Sequence, residues 1–109
     1  MDLENTQSQM RKGVLEYCIL YIIGKHECYA SDIIDQMKEA RLIVVEGTLY
    51  PLLTRLKNAG LLNYKWEESK SGPPRKYYSL TAEGQKFLQA LSGTWDELSQ
   101  AVTNITTNK

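Results

Sequence analysis

Residues 47–59, Gly-Thr-Leu-Tyr-Pro-Leu-Leu-Thr-Arg-Leu-Lys-Asn-Ala, constrain the fold of this chain more than any other stretch. At the helical spacing of about 100° per residue they sort into two faces. Leu49, Leu52, Leu53 and Leu56 fall at i, i+3, i+4 and i+7 and form an apolar stripe. Tyr50, Pro51, Thr54, Arg55, Lys57 and Asn58 lie opposite. That face carries two cations, two hydroxyls and an amide, with no carboxylate, a set suited to phosphates and base edges. The helix is expected to begin at Gly47 or Thr48. Pro51 is tolerated in the first turn, where the leading N–H groups have no intrahelical partner. Gly60 stops the helix.

A hairpin follows. Leu62, Tyr64 and Trp66 alternate with Asn63, Lys65 and Glu67, the period-two pattern of a half-buried strand. Tyr78 and Leu80 alternate with Tyr77 and Ser79 on the return. The turn is placed at Ser71-Gly72-Pro73-Pro74, with both prolines in the loop, where no ladder bond is lost. A cationic, polar helix followed by a two-stranded ribbon predicts a winged helix-turn-helix that binds DNA. The fold class is mainly α with a small β-hairpin wing (α+β).

Charge distribution agrees, although the net charge is zero. Residues 41–78 hold seven Lys/Arg against three Asp/Glu, whereas residues 1–40 hold four against seven. The basic excess falls where a DNA contact needs it.

Upstream, residues 8–24 predict a first helix, apolar nearly all round and therefore covered on more than one side. Ser31 is expected to cap a second helix, with Ile33, Ile34 and Met37 inward. Leu42-Ile43-Val44-Val45 predicts a short edge strand. The last helix opens at Thr81-Ala82-Glu83-Gly84. Its Leu88, Leu91, Trp95, Leu98, Val102 and Ile105 step by 3, 4, 3, 4 and 3, a heptad seam. From Ala82 to Ile105 it would run about 36 Å. A domain of this size cannot cover such a stripe alone. The expected cover is the chain's own first helix together with the same helix of a second copy. The chain is thus divided into a winged-helix domain at 1–80 and a dimerisation helix at 81–109, forming one compact unit.

Other classes find little support. The ten-residue apolar run Val14–Ile23 contains Glu16 and is too short for a membrane span, which takes about 20 residues. The polar, acidic beginning of the chain does not resemble a signal peptide, so a cytoplasmic protein is expected. The one histidine, His26, has no cysteine or carboxylate partner at motif spacing. There is no phosphate loop, nucleophile elbow or metal signature, and no enzyme, cofactor or metal is expected. Cys18 reads as core packing, and Cys28, at a helix-to-helix junction, as packing in preference to a thiol switch. A winged helix that binds protein rather than DNA would present apolar or acidic residues on the exposed face of the third helix. The Thr, Arg, Lys and Asn found there favour DNA.

The segments GTLYPLLTRLKNAGLL at 47–62 and GPPRKYYSLTAEG at 72–84, in this order and spacing, resemble the PadR family of bacterial transcriptional regulators, in its short form with a single C-terminal helix. The likeness spans roughly residues 10–105. It implies a homodimeric winged helix on double-stranded operator DNA, and commonly repression relieved by a small aromatic or hydrophobic effector. The chain departs from the pattern at Cys28, where relatives usually have Gly, and at Ser79, where a basic residue is frequent.

Within this reading Arg55 is the first choice for a guanine or phosphate contact, because of its planar fork. Lys57 is read as a phosphate contact or a solvated residue. Tyr50 and Pro51 either meet sugar-phosphate and thymine methyl groups or, for Tyr50, pack on the neighbouring helix. Thr54 and Asn58 are base-edge candidates. Lys70, Gly72, Arg75 and Lys76 belong to the wing, and Lys12 and Ser31 complete the expected contact set. Trp95, with Tyr17 and Tyr21 on the adjacent helix, is expected either to line an effector pocket or to anchor the interface.

Overall fold

A computed structural model describes residues 1–107. The chain runs α1 (Leu3–Lys25), β1 (Cys28–Tyr29), α2 (Ala30–Glu39), α3 (Glu46–Asn58), β2 (Leu62–Ser69), β3 (Gly72–Leu80) and α4 (Ala82–Thr107). The last two residues of the expected dimerisation helix, 108–109, lie outside the described residues. The three strands form one antiparallel sheet in the order β1-β3-β2. Four helices and a three-stranded sheet make the winged helix that the sequence implies. Among the described residues no helix is long and apolar enough to cross a membrane.

The core lies between α1, α2, α3 and the base of the sheet. Ile19, Leu20, Ile33, Leu49, Leu53 and Leu62 are its largest fully buried side chains. Two of them come from the apolar stripe of α3, so the residues opposite are turned outward by the helical period alone.

Helices α2 and α3 end the same way. The N–H of Leu42 reaches the carbonyl of Met37 at 2.9 Å, and that of Leu61 reaches Leu56 at 3.0 Å. Each motif needs a left-handed residue just before that donor. Gly60 supplies it at φ 82°, but after α2 the position is filled by Arg41 at φ 66°.

Four expectations are corrected. The edge strand is Cys28–Tyr29, which pairs with Tyr78 and Tyr77, and not Leu42–Val45. The free edge of β3 is already taken by β1, and residues 42–45 serve as a connector that buries Val44. Ser31 does not cap α2: the helix begins at Ala30, and the Asp32 carboxylate accepts the Tyr29 N–H at 2.9 Å. Helix α3 begins at Glu46, ahead of the expected Gly47 or Thr48. The wing turn is Lys70-Ser71, and both prolines belong to β3. They cost no ladder bond, because the register slips between the Glu67–Arg75 and Ser69–Gly72 pairs and leaves Pro73 and Pro74 unpaired.

Helix α4 is anchored at its start. Thr81 Oγ1 donates to the Gly60 carbonyl at 2.6 Å and accepts the Gly84 N–H at 2.9 Å. Leu88 is buried and Leu91 half-buried in the core, and Tyr17 on α1 donates to Ser92 Oγ at 3.2 Å. Beyond that point the seam leaves the core. Trp95, Leu98, Val102 and Ile105 are exposed, and Leu98 keeps 54% of its surface in solvent. The molecule measures 57 × 32 × 23 Å, with a radius of gyration of 15.8 Å, against about 13 Å for a compact domain of this length.

Candidate nucleic-acid interface

Burial of Leu49, Leu53 and Leu56 leaves Tyr50, Pro51, Thr54, Arg55, Lys57 and Asn58 exposed along α3. All six residues singled out on this helix are therefore solvent-facing. The helix has two flanks.

The wing forms the first. In the β2–β3 register Leu62, Tyr64 and Trp66 stand opposite Leu80, Tyr78 and Lys76. Tyr78 is buried, so this sheet face is turned inward at its base. Toward the tip it runs past the core, and Trp66 is 61% exposed. A cleft of about 420 Å³ opens there, lined by Ser31, Glu46, Tyr50, Trp66, Arg75 and Lys76 among others. Aromatic rings stand against the cations of this cleft and against Lys57 on the neighbouring stretch of α3, without neutralising them. The Lys76 ammonium stands 4.5 Å from the Tyr64 ring centre and 5.5 Å from that of Trp66. The Lys57 ammonium approaches Tyr64 at 5.8 Å. The Arg75 guanidinium lies 4.0 Å over Tyr29, whose ring centre is 4.8 Å from that of Tyr77. Lys70 and Gly72 are exposed at the tip.

The second flank is the N-terminal half of α1. A groove of about 360 Å³ runs between it and the connector that leads into α3, lined by Ser8, Arg11, Lys12, Val45 and, at the start of α3, Thr48 among others. Lys12 is thus brought beside α3, and Arg11 joins it. Sequence reasoning misses Arg11, Trp66 and Glu46. Arg11 adjoins Lys12 on the same helical turn, which is the signal that could have found it. Trp66 fits the strand pattern and gives no separate sign, and Glu46 precedes the helix start that the sequence signals.

Arg55 behaves unlike Lys57, the other cation of α3. Its guanidinium makes an ion pair with Glu16 on α1, Nη1 to Oε1, at 3.1 Å. The helix thus meets a carboxylate from α1, in addition to its own Glu46 beside Tyr50 in the wing cleft.

The three residues expected around an effector are divided. Trp95 lines a cavity of about 280 Å³ with Met10, Val14, Tyr17, Leu91 and Leu98 among others. Tyr21 instead lines a separate apolar cavity of about 380 Å³ between α1 and α2, which Tyr17 also borders. The two tyrosine rings meet edge to face at 6.1 Å, but α4 crosses α1 at Tyr17, one turn before Tyr21. Tyr21 is therefore not a neighbour of Trp95 within one chain. Burial raises the pKa of both thiols, and Cys28 is pushed up to about 11, by burial first and the Asp32 carboxylate second.

The profile of the transcriptional regulator PadR-like family matches residues 19–90. A PadR-like transcription factor from Bacteroides fragilis is 63% identical, covers 93% of this chain and 98% of its own, and superposes with a TM-score of 0.79. A Streptococcus transcriptional regulator is 39% identical over 90% of this chain and 97% of its own, with a TM-score of 0.80. A PadR-like transcriptional regulator from Bacillus cereus is 39% identical over 94% and 100%, with a TM-score of 0.82.

Proposed function

The chain belongs to the PadR-like family of transcriptional regulators, and from that premise we propose that it is a homodimeric repressor that grips operator DNA through α3 and its two cationic flanks and lets go when a small hydrophobic or aromatic molecule binds beside Trp95. The observation that carries the DNA surface is the placing of Arg75 and Lys76 on one side of exposed α3 and of Arg11 and Lys12 on the other. A helix laid in the major groove brings its flanks against the two phosphate ridges, where cations gain affinity by releasing counterions. Thr54 and Asn58 face the base edges in this arrangement, with Tyr50 and Pro51 against sugar or thymine methyl. Lys57 and Lys70 add phosphate contacts, and Ser31 and Gly72 border the wing cleft.

The dimer reading rests on the exposed seam of Trp95, Leu98, Val102 and Ile105. Such a stripe at heptad spacing is covered when a second copy of α4 packs on it. The effector reading rests on the Trp95 cavity. A molecule wedged between α1 and α4 changes the angle between subunits, and with it the spacing of the two recognition helices, which must match half-sites about 34 Å apart or a multiple of it. It acts only as far as it prefers one geometry.

Operator selection from random duplexes with the purified protein tests the reading. A palindrome is expected, bound with an affinity that falls steeply with salt. Recovery of no enriched sequence overturns the operator reading. For the effector, Trp66→Phe leaves Trp95 as the one tryptophan, and its fluorescence reports binding of planar aromatics directly. Unchanged emission together with unchanged DNA affinity across such a panel removes the effector from the proposal.

A further inference from the structure

Among the described residues, Arg55 alone of the cations on α3 and its flanks is paired with a carboxylate of α1. Glu16 keeps only 20% of its side chain exposed, whereas Arg55 keeps 67%. The carboxylate is thus the fixed member of the pair, held on a helix whose next turn is packed in the core. The guanidinium is the solvent-facing member, at the end of a long side chain reaching across from α3. A carboxylate and a phosphate oxygen present the same partner to an arginine: an anionic acceptor that takes parallel N–H bonds from the planar fork.

We infer that Glu16 is a positioning residue that occupies Arg55 in the free protein as a stand-in for a DNA phosphate, and that binding exchanges one anion for the other. The inference rests on the DNA-binding reading above and adds to it a residue that carries no charge attractive to DNA. Two consequences follow from the exchange. Arg55 contributes less to affinity than an unpaired arginine in its place, because the pair must open first. Its share of the salt dependence stays that of an unpaired arginine, because the counterions released are those of the phosphate, which is neutralised in the complex either way. Arg55 therefore discriminates by geometry: only a duplex seated deeply enough to bring a phosphate to the guanidinium displaces Glu16.

The test measures affinity of the full chain for a mixed-sequence duplex of about 30 base pairs, long enough for two half-sites, over a range of sodium chloride concentrations. Circular dichroism establishes that each variant is folded. Exposed ion pairs are weak, so Glu16→Gln is expected to tighten binding by about two- to fivefold. The slope of log affinity against log salt should stay close to that of the wild type, because the same phosphates are contacted in both complexes. Glu16→Asp keeps the charge but shortens the reach, and should tighten binding partway. Arg55→Ala should weaken binding, and adding Glu16→Gln to it should then change little.

Equal tightening by Glu16→Gln with and without Arg55 would show a general field effect and overturn the exchange. So would weaker binding by Glu16→Gln, or wild-type binding by Arg55→Ala. These outcomes leave the regulator reading intact. A wild-type protein that binds no duplex even at low salt overturns both, since the exchange requires a phosphate.

Discussion

The head and the far half of α4 obey opposite rules of burial. In the head the apolar stripe of α3 and the base of the wing are covered within the same chain: α3 meets the core through Leu49, Leu53 and Leu56, and the wing base through Leu62 and Tyr78. In α4 the same kind of stripe begins in the core at Leu88 and ends in solvent at Ile105. The heptad spacing is uniform along the helix, so the difference does not come from local sequence. It comes from the reach of the head, which covers only the first few turns of a helix 26 residues long. An amphipathic stripe that outruns its own domain leaves its remaining apolar surface for another molecule to cover.

The comparison breaks most sharply at one residue from each region. Leu53→Ala empties a fully buried site and should cost about 2–5 kcal/mol in denaturant unfolding, with self-association unaffected at temperatures where the head stays folded. Leu98→Glu should do the reverse. It places a charge in the proposed interface, so sedimentation velocity should show a shift from dimer to monomer while the circular dichroism spectrum of the head persists. Wild-type protein that sediments as a 12.5 kDa monomer at micromolar concentration would sink the dimer.

The joint between the regions comes next. A Cβ added at Gly84 would drive into the Leu61 carbonyl oxygen, which is backbone and cannot rotate away. Gly84→Ala should therefore cost about 1–3 kcal/mol, read as a lower midpoint in urea. Gly93→Ala, where an added Cβ meets nothing within 4 Å, should gain stability as an exposed helical alanine, by about 0.5–1 kcal/mol. An equal loss at both positions would mean that the start of α4 is not held against Leu61.

The two left-handed helix ends offer a smaller contrast within the head. Gly60→Ala should cost about 1 kcal/mol, because φ 82° strains any side chain. Arg41→Gly should gain about 0.5 kcal/mol: relief of the same strain, about 1–2 kcal/mol, outweighs an entropic cost of about 0.4–1 kcal/mol in the unfolded chain. Thermal melts measure both.

The last effect is a pH dependence confined to alkaline solution. The Cys28 thiol is raised from 9.0 to about 11 in the folded chain, so folding favours its protonated form. Its contribution is complete below pH 9 and is lost as pH rises toward 11. Cys28→Ala should flatten the fall in melting temperature across that window. An unchanged slope would place the loss on other groups.

Legibility followed the range of the interactions. The faces of α3, the alternation in β2 and β3, and the heptad seam of α4 are readable because helical and strand periods are properties of a few neighbouring bonds. The turn and the edge strand are misread where local signals compete with pairing. Gly72-Pro73-Pro74 carries a strong turn signal, yet the register of β2 on β3 puts the reversal at Lys70-Ser71. Leu42–Val45 has strand composition, yet β3 has room at its free edge for one partner, and Cys28–Tyr29 takes it.

The sequence by itself determined which residues share a face: the polar set of α3 from Tyr50 to Asn58, the apolar seam from Leu88 to Ile105, and the basic excess around helix and wing. Only the tertiary structure decided which faces meet. It set Arg11 and Lys12 opposite the wing, separated Tyr21 from Trp95, and brought Glu16 to Arg55 from 39 positions away along the chain (55 − 16). Periodicity carries no record of such pairings, because a helix turns its faces in the same way whatever it packs against, and the partner is chosen by how the whole core closes.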